Sequence, residues 1–124
     1  MGGRLSRQRT KGTAFETQLV DWLNERFHGE RTFHRLGMGG VHDTGDVWGL
    51  FAHGKQVVVE CKNHLKMALS EWLDEAERER TNAGALASVV VHKRKGRGAK
   101  RFGENYVTLT LEDFAAIVTG EREE

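Results

Sequence analysis

The first apolar segment of the chain follows a helical period and predicts a helix over residues 13–28. The face that this period defines comprises Phe15, Leu19, Trp22 and Leu23. Glu16 shares the face, because it begins a ridge that continues every three to four residues as far as residue 27. The simplest role for a carboxylate there is a favourable interaction with the helix dipole. Residues 1–12, rich in glycine and arginine, are predicted to form a flexible basic arm.

Five short segments have the alternation or the β-branched content that is typical of strands. They cover residues 32–36, 46–51, 55–61, 86–91 and 106–109. The second and third segments predict a hairpin with residues 52–54 as its loop, and a glycine-rich polar loop, residues 37–45, precedes it. The segment 86–91 is apolar nearly throughout, which indicates a strand covered on both faces.

Two further helices are predicted from their caps and apolar positions. Ser70 is the expected N-cap of the first, which ends near Gly84. Thr110 and Asp113 form a capping pair at the start of the second. The first helix is expected to bury Leu69, Trp72, Leu73 and Ala76, and the second carries Leu111, Phe114, Ala115 and Val118. The order α-β-β-β-α-β-β-α indicates an α/β fold, a central mixed β-sheet flanked by helices, over residues 13–120, with an acidic tail at 121–124.

Length and composition favour one soluble domain. The chain has 124 residues, of which 38% are hydrophobic and 30% are charged, enough to bury a core without metal or disulfide support. A single cysteine, Cys61, excludes an internal disulfide and a cysteine-based zinc finger. The apolar stretches are far shorter than a membrane span, and no signal-peptide pattern opens the chain. We therefore expect a cytoplasmic protein with no membrane partner.

The net charge is only +1, but the basic residues are concentrated in two segments. Residues 1–12 carry +4 and residues 92–101 carry +6, each without an acid, whereas the intervening stretch carries −4. This distribution is typical of a polyanion binder whose centre attracts metal. The residues expected to contact DNA are Arg4, Arg7, Arg9, Lys11, Lys93, Arg94, Lys95, Arg97, Lys100 and Arg101, with Gly39 and Gly40 allowing close approach of a phosphate backbone. A disordered, solubilising loop is the alternative for the second segment.

Two carboxylates are predicted to face each other across the hairpin. With residues 52–54 as its loop, Asp46 lies opposite Glu60, with Cβ atoms about 4.5–5.5 Å apart. Like charges at this distance repel, and a Mg²⁺ ion, which prefers oxygen ligands, would offset them. Lys62 points to the same side as Glu60, whereas Cys61 points to the other. The alternative is a solvated surface face on which Lys62 only pairs with Glu60.

These residues are similar to the motif of the PD-(D/E)XK nuclease superfamily, here Gly45-Asp46 and, after thirteen intervening residues, Glu60-Cys61-Lys62. Gly45 stands where the name of the motif has proline, a position that varies within the superfamily. The helix with Glu16, the glycine-rich loop and the helix with Trp72 more narrowly resemble Holliday junction resolvases, in particular small phage-encoded members. The resemblance runs from about residue 11 to residue 114. It implies a restriction-endonuclease-like fold and the cytoplasm of a bacterium or a phage-infected cell.

The resemblance also implies a role for each motif residue. Asp46 and Glu60 would bind Mg²⁺ or Mn²⁺, and the backbone carbonyl of Cys61 would be a further ligand. Glu16 would support the metal directly or through water. Lys62 would orient or activate the attacking water and offset the charge that develops on the phosphate.

The expected function is that of a metal-dependent, structure-selective endonuclease that hydrolyses phosphodiester bonds in branched or double-stranded DNA, above all at Holliday (four-way) junctions. The near two-fold symmetry of such a junction would suit a homodimer. One alternative is a nuclease of other specificity, of the flap, mismatch or restriction type; restriction is disfavoured because 124 residues leave no appended recognition domain. Another alternative is a non-catalytic DNA-binding module, against which the intact set of Asp46, Glu60 and Lys62 argues.

Overall fold

A computed structural model describes residues 3–27, 32–37 and 40–123, and for residues 3–11 it describes the backbone alone. Three helices and six strands form the described fold. In chain order they are α1 (Gly3–Arg26), β1 (His34–Arg35), β2 (Val47–Trp48), β3 (Phe51–Ala52), β4 (Lys55–Lys62), α2 (Leu69–Ala83), β5 (Ala87–His92), β6 (Tyr106–Thr108) and α3 (Leu111–Thr119). Two 3₁₀ turns, Gly40–His42 and Ala99–Glu104, lie in the connections. The predicted order of elements is confirmed, except that one predicted strand is split into β2 and β3.

The strands form one mixed sheet. Its order is β1-β2-β4-β5-β6, and the short β3 also pairs with β4. β4 and β5 are parallel and the other pairs are antiparallel. A parallel pair needs a crossover connection, and α2 provides it. The α/β class with a mixed sheet and flanking helices is therefore confirmed.

The two faces of the sheet pack against different helices. Val57 and Val59 of β4 lie in the larger core with Phe15 and Leu19 of α1. On the opposite face, Val90 of β5 packs against α2. β5 is buried along its whole length, as its apolar sequence predicts. Because side chains alternate along β4, its even-numbered residues, including the two charged ones, face α2.

The hairpin has the predicted register at Asp46, but its turn and its pairing near the turn differ from the prediction. Its turn has two residues, His53 and Gly54, both with positive φ, rather than the three that were predicted. The difference is offset further along, because Val47 pairs with Val59 while the Leu50 carbonyl accepts the Val57 N–H. Two residues, 48 and 49, thus oppose a single residue of β4, which is a β-bulge. The bulge restores the register that brings Asp46 next to Glu60.

The ends of the helices differ from the prediction at two places. α1 begins at Gly3, so the segment predicted as a flexible arm is helical from that residue; it contains no proline, and its Arg, Gln and Lys residues are good helix formers. α2 begins at Leu69, and Ala68 rather than Ser70 occupies the N-cap, without a side-chain hydrogen bond. The C-terminal end of α2 at Gly84, in a left-handed conformation, agrees with the prediction.

α3 begins as predicted but turns a different face to the core. The Thr110 hydroxyl accepts the Asp113 N–H, which confirms the capping pair. Asp113 is buried and accepts a hydrogen bond from Arg122 at 2.6 Å, and Ala116 packs in the larger core. All four apolar residues named for this helix from the sequence remain exposed, namely Leu111, Phe114, Ala115 and Val118. Within the described residues, no helix is long and apolar enough to cross a membrane.

Candidate active site

Asp46 is held by backbone contacts at the start of β2. Its N–H donates to the Val59 carbonyl at 2.8 Å, and its Oδ2 accepts the Cys61 N–H at 2.8 Å. Burial raises the pKa of the Asp46 carboxyl, and the hydrogen bond from Cys61 offsets only part of that effect. The side chain is therefore fixed against β4, next to Glu60.

Gly45 makes this placement possible. Its φ is +110°, and a Cβ atom there would lie 2.9 Å from Val58 Cγ1 and 3.0 Å from the Val59 carbonyl oxygen. Proline, which fixes φ near −65°, cannot adopt this conformation. The local backbone thus requires glycine at position 45.

Glu60 is the most enclosed acid of the predicted set. The residue is 3% exposed, and its Oε2 lies 3.1 Å from Lys62 Nζ. Its Oε1 has no N–H or hydroxyl donor within the described part of the chain. Burial raises the pKa of Glu60 to about 12, and the neighbouring carboxylates of Asp46 and Glu79 add to the effect. Without a cation, Glu60 therefore favours its protonated form far more than an exposed glutamate does.

Lys62 bridges two acids. Its Nζ lies 3.1 Å from Glu60 and 2.7 Å from Glu75. Burial lowers the pKa of Lys62, but hydrogen bonds and charge from Glu75 and Glu60 outweigh burial and hold this pKa above its usual value. Lys62 is thus a fixed ammonium group, suited to orienting and stabilising negative charge rather than to accepting a proton.

Two acids of α2, Glu75 and Glu79, complete the cluster and were not predicted. One oxygen each from Glu60, Glu75 and Glu79 lies within 4.8 Å of the other two. Burial, with nearby acids, raises the pKa of Glu79 to about 7, whereas the ion pair with Lys62 lowers the pKa of Glu75 against the effect of burial. The sequence contained a signal: Glu79 is seven residues after Trp72 and three after Ala76, and so continues the buried ridge of α2.

Glu16 lies near Asp46 but is already paired. Arg35 Nε donates to Glu16 Oε1 at 3.1 Å. Burial raises the pKa of Glu16, and the charge of Asp46 raises it further, which places the two acids in one electrostatic neighbourhood. The thiol of Cys61 packs in the larger core, as predicted, and burial raises its pKa. The Cys61 carbonyl as a ligand stays a prediction.

The glycine-rich loop borders an acidic cleft rather than a basic surface. Gly40 and Asp43 line a cleft of about 600 Å³, whose opposite wall is α2 with Glu75 and Glu79. Asn82 of α2 fastens the loop by donating to the carbonyls of residues 41 and 43. A phosphate backbone would meet negative charge here, so the predicted DNA contact at Gly40 is disfavoured unless cations intervene. Gly39 lies outside the described residues.

The basic run after β5 is partly paired within itself. Arg97 and Arg101 both contact Glu104, at 3.0 and 2.7 Å, and Lys93 Nζ donates to the carbonyls of residues 94 and 97. The Arg94 guanidinium lies over the Tyr106 ring, 5.2 Å from its centre. These pairs order the run, which disagrees with the alternative of a disordered loop.

The basic run nevertheless reaches the acidic cluster. A groove of about 390 Å³ is lined by Lys62 and Tyr106 and by four residues of the run, Lys93, Arg94, Lys95 and Arg97. The Lys93 N–H donates to the Lys62 carbonyl, so the run starts directly beside the end of β4. Lys100 is exposed outside this groove. The side chains of Arg4, Arg7, Arg9 and Lys11, on the N-terminal half of α1, lie outside the described part of the structure.

No family model, curated protein or solved structure matches this chain. The chemistry of the site therefore rests on its own residues. Buried carboxylates with unpaired oxygens and one ammonium group fit a divalent cation, because hard oxygen ligands are those that Mg²⁺ and Mn²⁺ select. An adjoining basic groove fits a phosphodiester.

Proposed function

We propose that this chain is a metal-dependent, structure-selective DNA endonuclease that hydrolyses phosphodiester bonds at four-way junctions. One observation carries the proposal: Asp46, Glu60 and Lys62 converge at one end of β4, beside a groove lined with basic residues. The α/β fold with a mixed sheet is compatible with a restriction-endonuclease-like fold, which we propose as its finer classification.

The proposed chemistry assigns a role to each of these residues. Asp46 and Glu60, supported by Glu16 and the Cys61 carbonyl, would hold Mg²⁺ or Mn²⁺. A bound divalent cation would polarise the phosphodiester and lower the pKa of a water molecule. Lys62, kept protonated by its acidic neighbours, would stabilise the charge that develops on the phosphate.

The preference for a branched substrate rests on the charge beside the site. The charged residues that line the short groove are all basic, so the groove can follow a backbone of unusual shape through phosphate contacts. We propose that the active form is a homodimer, which would place two sites on opposed strands. The exposed apolar side chains of α3, at positions 111, 114 and 118, form a surface that a second copy could cover.

The test is a cleavage panel of four DNA forms: a synthetic four-way junction, linear duplex, a flap and a single strand, each with and without Mg²⁺. We expect junction cleavage in Mg²⁺, its loss by orders of magnitude in Asp46→Asn, and wild-type rates in Asp74→Asn, an exposed acid of α2. Equal cleavage of flap or duplex would favour a nuclease of other specificity. Binding of the junction with no cleavage of any DNA would favour the non-catalytic module.

A further inference from the structure

The oxygens that lack partners lie on the α2 side of Glu60, not on the Asp46 side. Asp46 accepts a backbone N–H and Glu16 accepts from Arg35. By contrast, Glu60 Oε1 and both carboxylate oxygens of Glu79 are buried and have no N–H or hydroxyl donor among the residues that the structure describes; the Glu60 and Glu79 carboxyls can share only a proton between them. Glu60 and Glu79 are 3% and 2% exposed. Leaving such atoms without a partner is costly, so a missing ligand is the natural explanation.

The arrangement has the dimensions and the charge of a cation site. Oxygens bound to one divalent cation at about 2.1–2.4 Å lie up to about 4.8 Å apart, which is the spread of the oxygens in this cluster. Among the described residues, one ammonium contacts these carboxylates, that of Lys62 at Glu60 and Glu75. The remaining negative charge is that which a divalent cation would balance.

The acidic cleft provides an entry path to this cluster. Glu75 and Glu79 line its wall, opposite Gly40 and Asp43, and Asn82 holds the loop in place. The cleft and the basic groove share no lining residue, and Lys62 borders only the groove. A cation could therefore enter without passing through the proposed DNA surface.

We propose that Glu60, Glu75 and Glu79 form a divalent-cation site of their own, additional to the site proposed at Asp46 and Glu60. Glu60 lies between the two and would contribute to both. This inference concerns cation binding by the folded chain and stands without the nuclease proposal, because none of its observations involves nucleic acid.

Titration of the full-length chain with Mn²⁺, followed by the electron paramagnetic resonance signal of free Mn²⁺ in the absence of DNA, tests the proposal. In Glu79→Gln we expect the loss of one bound ion per chain, or weakening at least as large as the roughly 10- to 100-fold that follows removal of a group supporting a metal ligand. Asp74→Asn, which changes an exposed acid one residue before Glu75, should bind as wild type does. Asp46→Asn should keep the α2 ion although it no longer cleaves DNA.

Glu75→Gln provides the second variant, since Glu75 is only partly buried and its substitution leaves the core intact. It should weaken the same ion, and circular dichroism verifies that each variant is folded. Unchanged Mn²⁺ binding in both glutamine variants, or binding that weakens equally in Asp74→Asn, would overturn the site. In that case protons shared among the acids, rather than a cation, neutralise the cluster. A wild-type chain that binds Mn²⁺ at this site but cleaves no DNA would count against the nuclease and leave this site standing.

Discussion

Glu79 is a buried acid whose proton should affect stability. Burial raises its folded-state pKa from 4.5 to about 7, and Asp43, Glu75 and Asp46 contribute. The folded state therefore binds a proton that the unfolded state has released, and this group alone should lower stability as pH rises from about 5 to about 7, by at most about 1.4 kcal/mol per pH unit. Urea unfolding in EDTA across this range should show a flatter pH dependence for Glu79→Gln than for wild type. If the unfolding free energies of the two proteins change equally with pH, Glu79 does not bind a proton in the folded state over this range.

Lys62 should matter to stability as well as to activity. Its ammonium is shared by Glu60 and Glu75, so Lys62→Met leaves both acids facing each other. We expect the metal-free protein to lose about 1–3 kcal/mol of unfolding free energy, together with cleavage. Lys66→Met, at an exposed position, is the matched control and should change neither. If Lys62→Met has the same unfolding free energy as the wild type and still cleaves DNA, Lys62 belongs to an ordinary solvated face.

At the scale of the element, Gly45 tests how the backbone places Asp46. Gly45→Ala adds a Cβ atom 2.9 Å from Val58 and also forces alanine to a φ of +110°. Gly96→Ala, at φ +81° with open space around it, carries conformational strain without the clash. Urea unfolding should therefore show a larger loss for Gly45→Ala than the roughly 1–3 kcal/mol of a strained residue alone, and nicking assays should show reduced cleavage. Equal losses in the two variants would mean that the close approach at Gly45 is unimportant.

The basic run makes its own prediction. Arg94, Lys95 and Lys100 make no ion pair among the described residues, whereas Arg97 and Arg101 are held by Glu104. Alanine at the first three positions should reduce the slope of log affinity against log salt for a junction by about 0.9 for each phosphate that the variant no longer neutralises. Alanine at the two paired arginines should reduce the slope less. If alanine at the two paired arginines reduces the slope more than alanine at the other three positions, the prediction is wrong. In that case Arg97 and Arg101 leave Glu104 and contact phosphate when DNA binds.

The hairpin illustrates how far sequence reasoning reaches. The alternation of β4 and the turn signal at Gly54 predicted the neighbourhood of Asp46 and Glu60. They did not predict the two-residue turn, since His53 at positive φ has no characteristic turn signature, nor the bulge at residues 48 and 49, which tertiary packing selects. The two differences cancel at Asp46.

The helices illustrate what periodicity misses. Apolar spacing located α2 and its end, but it counts only apolar residues as buried, so Glu75 and Glu79 were overlooked. On α3, apolar spacing did not indicate that Asp113 would be buried and Phe114 exposed. Asp113 is buried because it accepts a hydrogen bond from Arg122. Charged residues take buried positions when a partner neutralises them, and a partner from a distant part of the chain cannot be seen in a local pattern.

Over the whole molecule, the arrangement of charge matters more than the net value of +1. An acidic cleft lies between α2 and the glycine-rich loop, a basic groove lies beyond the end of β4, and Lys62 stands between them. Such a division would hold cations on one side and a phosphate backbone on the other. Both regions depend on α2, which covers one face of the sheet and connects its parallel strands.

If these acids serve a cation that acts on DNA, the most direct measurement is junction binding and cleavage by one metal-free preparation. The chain would be assayed in EDTA, in Ca²⁺ and in Mg²⁺. We expect binding without cleavage in Ca²⁺ and cleavage in Mg²⁺, because the two ions differ in size, geometry and ligand number. Undiminished cleavage in excess EDTA, or none in either Mg²⁺ or Mn²⁺, would contradict the account.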